Sequence, residues 1–137
     1  MIFVDSNILI DVLAPGQRWR DWSQGQIERL GSDQTLVVDQ IVLAELASGV
    51  PTLGEATAWL AQLGIEMRAL DDVAAFAAGQ AFRIYRRAQQ DRTSMLSDFL
   101  IGGHAQALGA TLLTRDRAVY ECYFPKLPLI TPETDNG

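Results

Sequence analysis

The sequence predicts an α/β protein: a three-layer α/β/α sandwich around a central, mostly parallel sheet of about five strands. Three observations support this fold class. The length of 137 residues suits one domain and not two. Short apolar runs alternate with segments of helical periodicity, an order typical of a parallel sheet covered by helices. Leucine, isoleucine, valine and phenylalanine make up about 28% of the chain, well above the roughly 20% below which chains tend to stay disordered.

The first part of the chain predicts two strands separated by two helices. Residues 1–4 form an apolar run that predicts a buried strand. Ser6 can cap a helix that continues to Leu13, because a Pro-Gly pair follows and stops it. A second helical pattern covers residues 19–30, and residues 35–38 predict the second strand.

The middle of the chain predicts two more helices and a third strand. Asp39 is well placed to N-cap a helix over residues 40–47, which glycine and proline then end. A shorter helix is predicted over residues 54–62, and residues 65–69 are strand-like.

The last part predicts a long helix followed by two strands and two shorter helices. Helical spacing indicates the long helix over residues 72–88. The positions that recur at this spacing are Val73, Phe76, Ala77, Gln80 and Ile84. Ser97 can cap the next helix, and residues 111–114 predict the fourth strand. A helical turn over residues 117–123 precedes a last strand over residues 127–130.

Charge and cysteine content exclude some classes of function. The net charge is −6, from 17 acids and 11 bases, which argues against a protein that coats nucleic acid through its own positive charge. A nucleic-acid enzyme is still compatible, since bound divalent cations can supply positive charge. Cys122 is the single cysteine, so an internal disulfide framework and a cysteine-rich zinc site are excluded.

We expect a single domain over residues 1–131 and a frayed polar tail over residues 132–137. No basic leader opens the chain, and Asp5 interrupts the first apolar run, so we expect no secretory signal. The longest stretch without a charged residue, residues 99–114, is too short to span a membrane. These features predict a soluble, cytoplasmic protein.

Four acids stand at junctions between predicted strands and helices. Asp5 follows the first strand, and Asp116 lies two residues past the fourth. Glu45 lies in the helix after the second strand, and Asp98 lies in the first turn of its helix. Ligands of open α/β sheets bind outside the carboxyl ends of the strands, so we expect the four acids to share one edge. Taken singly, each acid also has a structural interpretation as a helix cap, a turn residue or a solvated side chain.

Convergence of four carboxylates favours a divalent cation. Without a partner the carboxylates would repel one another and their pKa values would rise. Mg²⁺ and Mn²⁺ prefer carboxylate oxygens, and the absence of histidine or cysteine from the set disfavours zinc. Such a site can polarise a phosphoryl oxygen and lower the pKa of a bound water.

At these residues the sequence resembles the PIN-domain ribonucleases, and more narrowly the VapC-type toxins of bacterial type II toxin–antitoxin pairs. The resemblance covers nearly the whole chain and rests on four motifs in order. These are residues 2–11 (Ile-Phe-Val-Asp-Ser-Asn-Ile-Leu-Ile-Asp), 41–46 (Ile-Val-Leu-Ala-Glu-Leu), 97–105 (Ser-Asp-Phe-Leu-Ile-Gly-Gly-His-Ala) and 112–116 (Leu-Leu-Thr-Arg-Asp). One departure lies before Asp98, where residues 93–96 lack the proline that many relatives carry.

The resemblance implies a PIN-like sandwich and a specific reaction. It implies that the four acids are catalytic and coordinate Mg²⁺, with Mn²⁺ as a possible substitute. It implies that Asn7 and Thr114 orient the carboxylates or a bound water. The implied reaction is hydrolysis of RNA phosphodiester bonds by a metal-activated water. The implied partners are the RNA substrate, a cognate antitoxin protein and a second copy of the chain in a homodimer.

Arginines near the predicted site are candidates for contacts with RNA. They are Arg83, Arg86, Arg87, Arg92 and Arg115. Arginine binds phosphate through two parallel hydrogen bonds, which favours a phosphate clamp. A solvated helix face, favoured by the helix dipole, explains the first four equally well.

Other residues are assigned structural roles. His104 is the only histidine, but it lies about 240° around its helix from Asp98, so we expect it to be structural rather than a general base. Gly102 and Gly103 indicate close packing of this helix on the sheet. We expect Asp11 to face solvent, and Cys122 to be a buried small apolar residue.

Two other functions compete with the nuclease. A phosphatase with an aspartate nucleophile resembles this fold but needs Asp-x-Asp after the first strand, where this chain has Asp5-Ser6-Asn7. Receiver domains need a late lysine at the pocket, and Lys126 stands between Pro125 and Leu127. The second competitor is a catalytically inactive PIN-fold binding or scaffold module, which usually lacks some of the acids.

Overall fold

The computed structural model describes residues 1–88 and 95–134 and confirms the predicted sandwich. The strands are β1 (Ile2–Val4), β2 (Leu36–Val38), β3 (Ile65–Met67), β4 (Thr111–Leu113) and β5 (Leu129–Ile130). The helices are α1 (Ser6–Leu13), α2 (Arg20–Gly31), α3 (Gln40–Leu46), α4 (Leu53–Gln62), α5 (Asp72–Ala88), α6 (Leu96–Ala107) and α7 (Arg117–Tyr123). A short 3-10 turn (Ala47–Gly49) follows α3.

The strands described here form one parallel sheet in the order β3-β2-β1-β4-β5. The central strand is β1, in which Phe3 lies opposite Val37 of β2 and Leu112 of β4. The outer strands β3 and β5 also run parallel to their neighbours. Because all the strands point the same way, the loops that follow them lie at one edge of the sheet.

The side chains of the inner strands β1 and β2 form the centre of the hydrophobic core. All three residues of β1 and all three of β2 are buried. Strands of a parallel sheet covered by helices on both faces consist of continuous apolar runs instead of alternating patterns. This explains why the Ile-Phe-Val and Leu-Val-Val runs predict strands although neither alternates between polar and apolar residues.

An aromatic cluster joins α5, α6 and α7. The ring of Phe99 in α6 lies 5.3 Å from Phe82, 5.4 Å from Tyr85 and 5.3 Å from Tyr123, measured between centroids. Tilted and edge-to-face pairs of this kind contribute about 0.5–1.5 kcal/mol each beyond their burial. The cluster therefore holds the first turns of α6, where Asp98 lies, against the C-terminal half of α5.

The two glycines of α6 allow close packing, but not on the sheet as the sequence suggests. A Cβ on Gly102 would lie 2.6 Å from Cε2 of the Phe124 ring. A Cβ on Gly103 would lie 3.0 Å from the Cβ of Ala78 in α5. Gly102 is required because of the ring of Phe124, the residue that ends α7, and Gly103 is required because of Ala78 in α5.

Helix α5 turns a different face to the core than its apolar periodicity indicates. The large side chains of Val73, Phe76 and Ile84 are 80%, 71% and 68% exposed. The buried residues of α5 include Ala74 and Ala78, the latter 1% exposed. The small alanine side chains let α5 approach the glycine face of α6, so the bulkier stripe is left outside.

Helix starts and one cysteine also depart from the predictions. The N-cap of α1 is Asp5, whose side chain accepts from the Ser6 backbone N–H, so Ser6 is the first helical residue and not the cap. Helix α6 begins at Leu96, with Met95 and not Ser97 at the cap position. Asp39 caps α3 as predicted. Cys122 is exposed and not buried as predicted.

No helix within residues 1–88 or 95–134 is long and apolar enough to cross a membrane.

Candidate active site

The sheet topology gathers two of the four predicted acids directly. Asp5 follows β1 and caps α1, while Asp116 follows β4 and occupies the cap position of α7. Because β1 and β4 are adjacent and parallel, both acids emerge at the same edge. Glu45 comes to this edge on α3, which follows β2, and Asp98 comes on the first turn of α6.

The Asp5 carboxylate is buried, 4% exposed, and its two oxygens have different partners. The Oδ1 atom accepts the Ser6 backbone N–H at 2.7 Å. The Oδ2 atom accepts the Thr114 hydroxyl at 2.7 Å, the Tyr120 hydroxyl at 3.2 Å and the Asn7 amide at 3.4 Å. Side-chain donors thus concentrate on Oδ2, and this fixes the orientation of the carboxylate.

Thr114 and Asn7 link the loops that follow β1 and β4. The Thr114 hydroxyl oxygen accepts the Asn7 side-chain amide at 3.3 Å and the Asp116 backbone N–H at 3.0 Å. The Asn7 side-chain carbonyl accepts the Arg115 backbone N–H at 3.2 Å. Both residues therefore contact the loop that carries Asp116 as well as Asp5 itself.

Ser6 connects Glu45 to this network. Its hydroxyl donates to Oε1 of Glu45 at 3.0 Å and lies 3.5 Å from Oδ1 of Asp5. A serine directly after the first acid is the signal in the sequence, but its position suggested only a helix cap. The structure adds Ser6 to the residues that hold the site together.

Three of the four acids have raised pKa values, and the causes show that the acids lie near one another. Burial raises the pKa of Asp5 to about 6, with a smaller contribution from repulsion by Asp98 and Glu45. Burial also raises the pKa of Glu45, helped by repulsion from Asp98. The pKa of Asp98 is raised by burial and then by repulsion from Asp116. The four carboxylates form one electrostatically coupled group.

Tyr120 belongs to the site, although no sequence motif singled it out. It is completely buried, and its hydroxyl donates to Asp5. Burial, followed by the negative charge of Asp5 and Asp98, holds the pKa of Tyr120 far above its ordinary value, so the hydroxyl stays a donor. One signal could have found it: Tyr120 lies four residues after Asp116 on α7, on the same face of the helix.

The acids are near one another but are not arranged as a complete coordination shell. Among the described residues, no three His, Cys, Asp or Glu side chains lie close enough together to hold one ion. The Oδ2 atom of Asp98 accepts the Met95 backbone N–H at 3.1 Å. The donor set nevertheless suits a hard divalent cation, since it consists of carboxylate oxygens whose mutual repulsion a cation would relieve.

Arg115 is engaged by Asp11, and Asp11 does not face solvent as expected. The Arg115 guanidinium donates to Oδ2 of Asp11 at 2.7 Å and to Oδ1 at 2.9 Å. Asp11 is 1% exposed and also accepts the Ser23 hydroxyl at 2.7 Å. Charge pairing by Arg115 is what allows Asp11 to be buried. The RNA contact predicted for Arg115 stays a prediction. The guanidinium of Arg115 is already paired with Asp11.

His104 has the structural environment that the sequence suggests. Its Nδ1 lies 2.8 Å from Oδ2 of Asp39, and both side chains are buried. The other oxygen of Asp39 accepts the first backbone N–H groups of α3, at Ile41 and Val42. His104 thereby ties α6 to the start of α3, the two helices that carry Asp98 and Glu45.

The other predicted RNA contacts lie at the end of α5. Arg83, Arg86 and Arg87 are exposed there, and the Arg86 guanidinium stands 5.7 Å from the centroid of the Phe82 ring. The aromatic cluster places this end of α5 beside the first turns of α6. Arg92 lies outside the described residues.

Three comparisons place the fold among known proteins. The family model of the PIN domain matches residues 2–125. VapBC2 from Rickettsia felis, solved bound to a DNA fragment from its promoter, is 23% identical at a TM-score of 0.67, covering 96% of this chain and 98% of that one. FitAcB from Neisseria gonorrhoeae is 19% identical at a TM-score of 0.68, covering 98% and 100%.

A third solved structure is VapC20 from Mycobacterium tuberculosis, described as a sarcin-ricin loop cleaving toxin. It is 16% identical at a TM-score of 0.55, covering 81% of this chain and 85% of that one. No curated protein sequence matches the chain. The structural likenesses show a shared fold, and the family model spans most of the chain with all four acids inside it. The chain therefore belongs to the PIN domain family.

Proposed function

We propose that this protein is a Mg²⁺- or Mn²⁺-dependent ribonuclease that acts as the toxin of a toxin–antitoxin pair. The observation that carries the proposal is the coupled group of four carboxylates at the carboxyl edge of the sheet, with raised pKa values at Asp5, Glu45 and Asp98. Buried acids that repel one another destabilise the protein unless a cation or a proton neutralises them. Groups with such perturbed pKa values concentrate at functional sites.

Asp5, Glu45, Asp98 and Asp116 are the residues that would hold the cation. A bound Mg²⁺ or Mn²⁺ would polarise a phosphoryl oxygen of RNA and lower the pKa of a water that attacks phosphorus.

The chain's own residues prepare this site by fixing Asp5. Three side-chain donors occupy its Oδ2, which leaves Oδ1 as the oxygen with the fewer protein partners. The buried Tyr120 hydroxyl keeps its proton and so continues to donate. The site is therefore organised before substrate arrives, which reduces the reorganisation that catalysis requires.

Arginines at the end of α5 supply positive charge for RNA. Arg83, Arg86 and Arg87 are exposed beside the α6 turn that carries Asp98. The protein as a whole is acidic, so local positive charge is needed near the site. Phosphate contacts of this kind position the RNA without reading its sequence.

The antitoxin partner is supported by the assemblies in which similar structures were solved. VapBC2 and FitAcB are both named as two-component assemblies. In this chain an apolar groove of about 350 Å³ lies between α3 and α4, lined by residues that include Leu43, Val50, Leu53 and Ala56. An apolar segment of an antitoxin would bury these side chains.

The test is cleavage of purified bacterial RNA by the purified protein, freed of any antitoxin. We expect discrete cuts in Mg²⁺ or Mn²⁺, none in EDTA, and a loss of at least 100-fold in Asp5→Asn and Asp98→Asn. The matched control is Asp33→Asn, an exposed acid outside the site, which should cut like the wild type. Cuts that persist in Asp5→Asn would contradict the proposal.

One observation favours the inactive binding module as the second candidate. Among the described residues, the acids as they stand do not form a coordination shell, and Oδ2 of Asp98 accepts the Met95 backbone N–H. A scaffold protein should bind an antitoxin or RNA but give no metal-dependent cuts. Correctly folded, metal-loaded protein that cuts no RNA would establish this alternative.

A further inference from the structure

Directly before α2, an aromatic ring and a positive charge stand together. The guanidinium carbon of Arg18 lies 5.2 Å from the centroid of the Trp19 ring, which is a cation–π contact. Arg18 is exposed and Trp19 is half-buried, so both side chains can be reached from outside the protein. Neither residue takes part in the metal centre proposed above, and that proposal leaves the pair without a role.

The Trp19 ring is held in place by a second aromatic ring. The ring of Trp22, in the first turn of α2, lies 6.3 Å from it between centroids, and the two planes are inclined by 80°. An edge-to-face contact of this kind favours one orientation of the ring. Because the ring is already oriented, a ligand that stacks on it does not have to order a mobile side chain.

Arg115 connects this surface to the candidate active site. Its guanidinium carbon lies 6.0 Å from the centroid of the Trp19 ring, and the residue that follows it is Asp116. Two hydrogen bonds to Asp11 hold the Arg115 side chain in this position. Trp19 therefore lies beside the loop that carries one of the four acids, and a nucleic-acid strand bound at the acids can continue onto it.

An aromatic ring beside an arginine suits unpaired nucleotides. Unstacked bases pack on aromatic side chains, and arginine binds phosphate through charge-assisted hydrogen bonds. Bases inside a duplex are already stacked on one another, so duplex RNA cannot use such a surface. The next two residues, Arg20 and Asp21, are exposed and opposite in charge. Stacking, more than positive charge, would therefore supply the affinity.

We propose that Arg18 and Trp19 form a subsite for unpaired nucleotides, in which one base stacks on the Trp19 ring and the Arg18 guanidinium binds a neighbouring phosphate. The subsite lies on the Asp116 side of the acids, whereas the arginines at the end of α5 lie on the Asp98 side. An RNA strand that contacts both would pass over the acids between them. The inference rests on the proposed function for its ligand, but binding is measured without cleavage.

Tryptophan fluorescence of the full chain in EDTA tests the subsite, because a stacked base quenches the indole and EDTA prevents metal-dependent cutting. The probe is a single-stranded RNA of about 12 nucleotides with alternating cytidine and adenosine, which do not pair. It should quench the wild type, and duplex RNA of the same length should not. Trp19→Phe should lose the quenching but keep the affinity to within about threefold, since phenylalanine also stacks. Trp59→Phe, in α4, is the control and should keep both.

Anisotropy of the same RNA carrying a fluorescent label measures the affinities. Trp19→Ala should weaken binding at least fivefold, because stacking of one base on an aromatic side chain contributes roughly 5- to 150-fold. Arg18→Ala should reduce the slope of log affinity against log salt by about 0.7, the value for one phosphate contact with a single strand. Arg29→Ala, an exposed arginine in the last turn of α2, is the matched control and should change neither quantity. Arg18 is itself exposed, so its variant tests the subsite even if Trp19→Ala does not fold.

Unchanged affinity in Trp19→Ala, an unchanged salt slope in Arg18→Ala, or quenching that persists in Trp19→Phe would overturn the proposal. If the wild type cuts RNA and both alanine variants bind and cut like it, the ribonuclease stands and the subsite is wrong. If the predicted quenching and losses of affinity are found in a protein that never cuts, the subsite stands and the ribonuclease is wrong. If Trp19→Ala weakens only a complex with an antitoxin, the pair belongs to that partner and the proposal is wrong.

Discussion

At the scale of single residues, the site is organised around the two oxygens of Asp5. The Oδ2 atom accepts three side-chain donors, and Oδ1 accepts mainly the first backbone N–H of α1. This asymmetry lets a buried carboxylate stay oriented, because hydrogen bonds to the charged form offset part of the cost of burial. Thr114 and Tyr120 both donate to Asp5, so we propose that they act on the site by holding this carboxylate.

Tyr120→Phe should weaken metal binding more than it weakens the fold. The variant removes one buried hydrogen bond to Asp5, at a cost of about 0.5–1.5 kcal/mol in the free energy of unfolding. With Asp5 less well held, the rise in melting temperature caused by Mn²⁺ should be smaller than in the wild type. Differential scanning calorimetry with Mn²⁺ and with EDTA measures both effects. An undiminished rise in the variant would show that Tyr120 has only a structural role.

Asp5→Asn should make the stability of the metal-free protein less dependent on pH. In the folded state the pKa of Asp5 is about 6, raised from 3.8 mainly by burial. The folded state therefore binds more protons between these pH values, so the contribution of Asp5 is most favourable below pH 3.8 and is lost as the pH rises through 6. Relative to the variant, the wild type should lose about 2 kcal/mol of unfolding free energy between pH 4.5 and pH 7.5. The hydrogen bonds that the asparagine cannot accept should shift the stability of the variant equally at both pH values.

Urea unfolding in EDTA at the two pH values measures this difference. Asp33→Asn is the control, since it replaces an exposed acid and should show no pH-dependent gain. If Asp5→Asn destabilises the metal-free protein equally at both pH values, the charge of Asp5 is not the source of strain at the site.

At the scale of elements, the Asp11–Arg115 pair connects α1 and α2 to the loop after β4. Asp11 lies on α1, its partner Ser23 lies on α2, and Arg115 stands next to Asp116. Asp11→Ala should cost about 1–3 kcal/mol in the free energy of unfolding, because it leaves the buried Ser23 hydroxyl and the partly buried Arg115 guanidinium without their acceptor. Asp21→Ala, an exposed acid of α2, is the matched control. A loss below 1 kcal/mol would show that the pair is not needed to hold this loop.

The elements themselves were predictable because their signals are local. Apolar runs, caps and Gly-Pro stops predict every helix and strand of the described chain to within a few residues. The cap of α3 at Asp39 is confirmed for the same reason, since an N-cap depends on the backbone directly after it.

The packing of elements was less predictable because it depends on contacts distant in sequence. The stripe at Val73, Phe76 and Ile84 correctly indicates helix α5 but not which face is buried. That choice depends on Ala78 meeting Gly103 of α6, a contact between residues 25 positions apart that periodicity cannot reveal. In the same way, Asp11 looks solvated until Arg115, 104 residues later, is placed beside it.

At the scale of the whole molecule, strand order creates the candidate site. The order β3-β2-β1-β4-β5 puts β1 between the strands that precede Glu45 and Asp116. The alternation of strands and helices predicts parallel strands and hence a shared edge, which is why the four acids could be proposed together. The contact of Ser6 with Glu45 and that of Tyr120 with Asp5 became visible only when the edge was assembled.

The most direct test of the central claim is calorimetric titration of the metal-free protein with Mn²⁺ at pH 7.5 and pH 5. We expect binding at pH 7.5 that weakens at least tenfold at pH 5, since protons compete for carboxylates whose pKa values are raised. We also expect binding to be lost in Asp5→Asn and retained in Asp33→Asn. Absence of binding by folded wild type at pH 7.5, or equal binding by Asp5→Asn, would contradict the claim that the four acids form a metal centre.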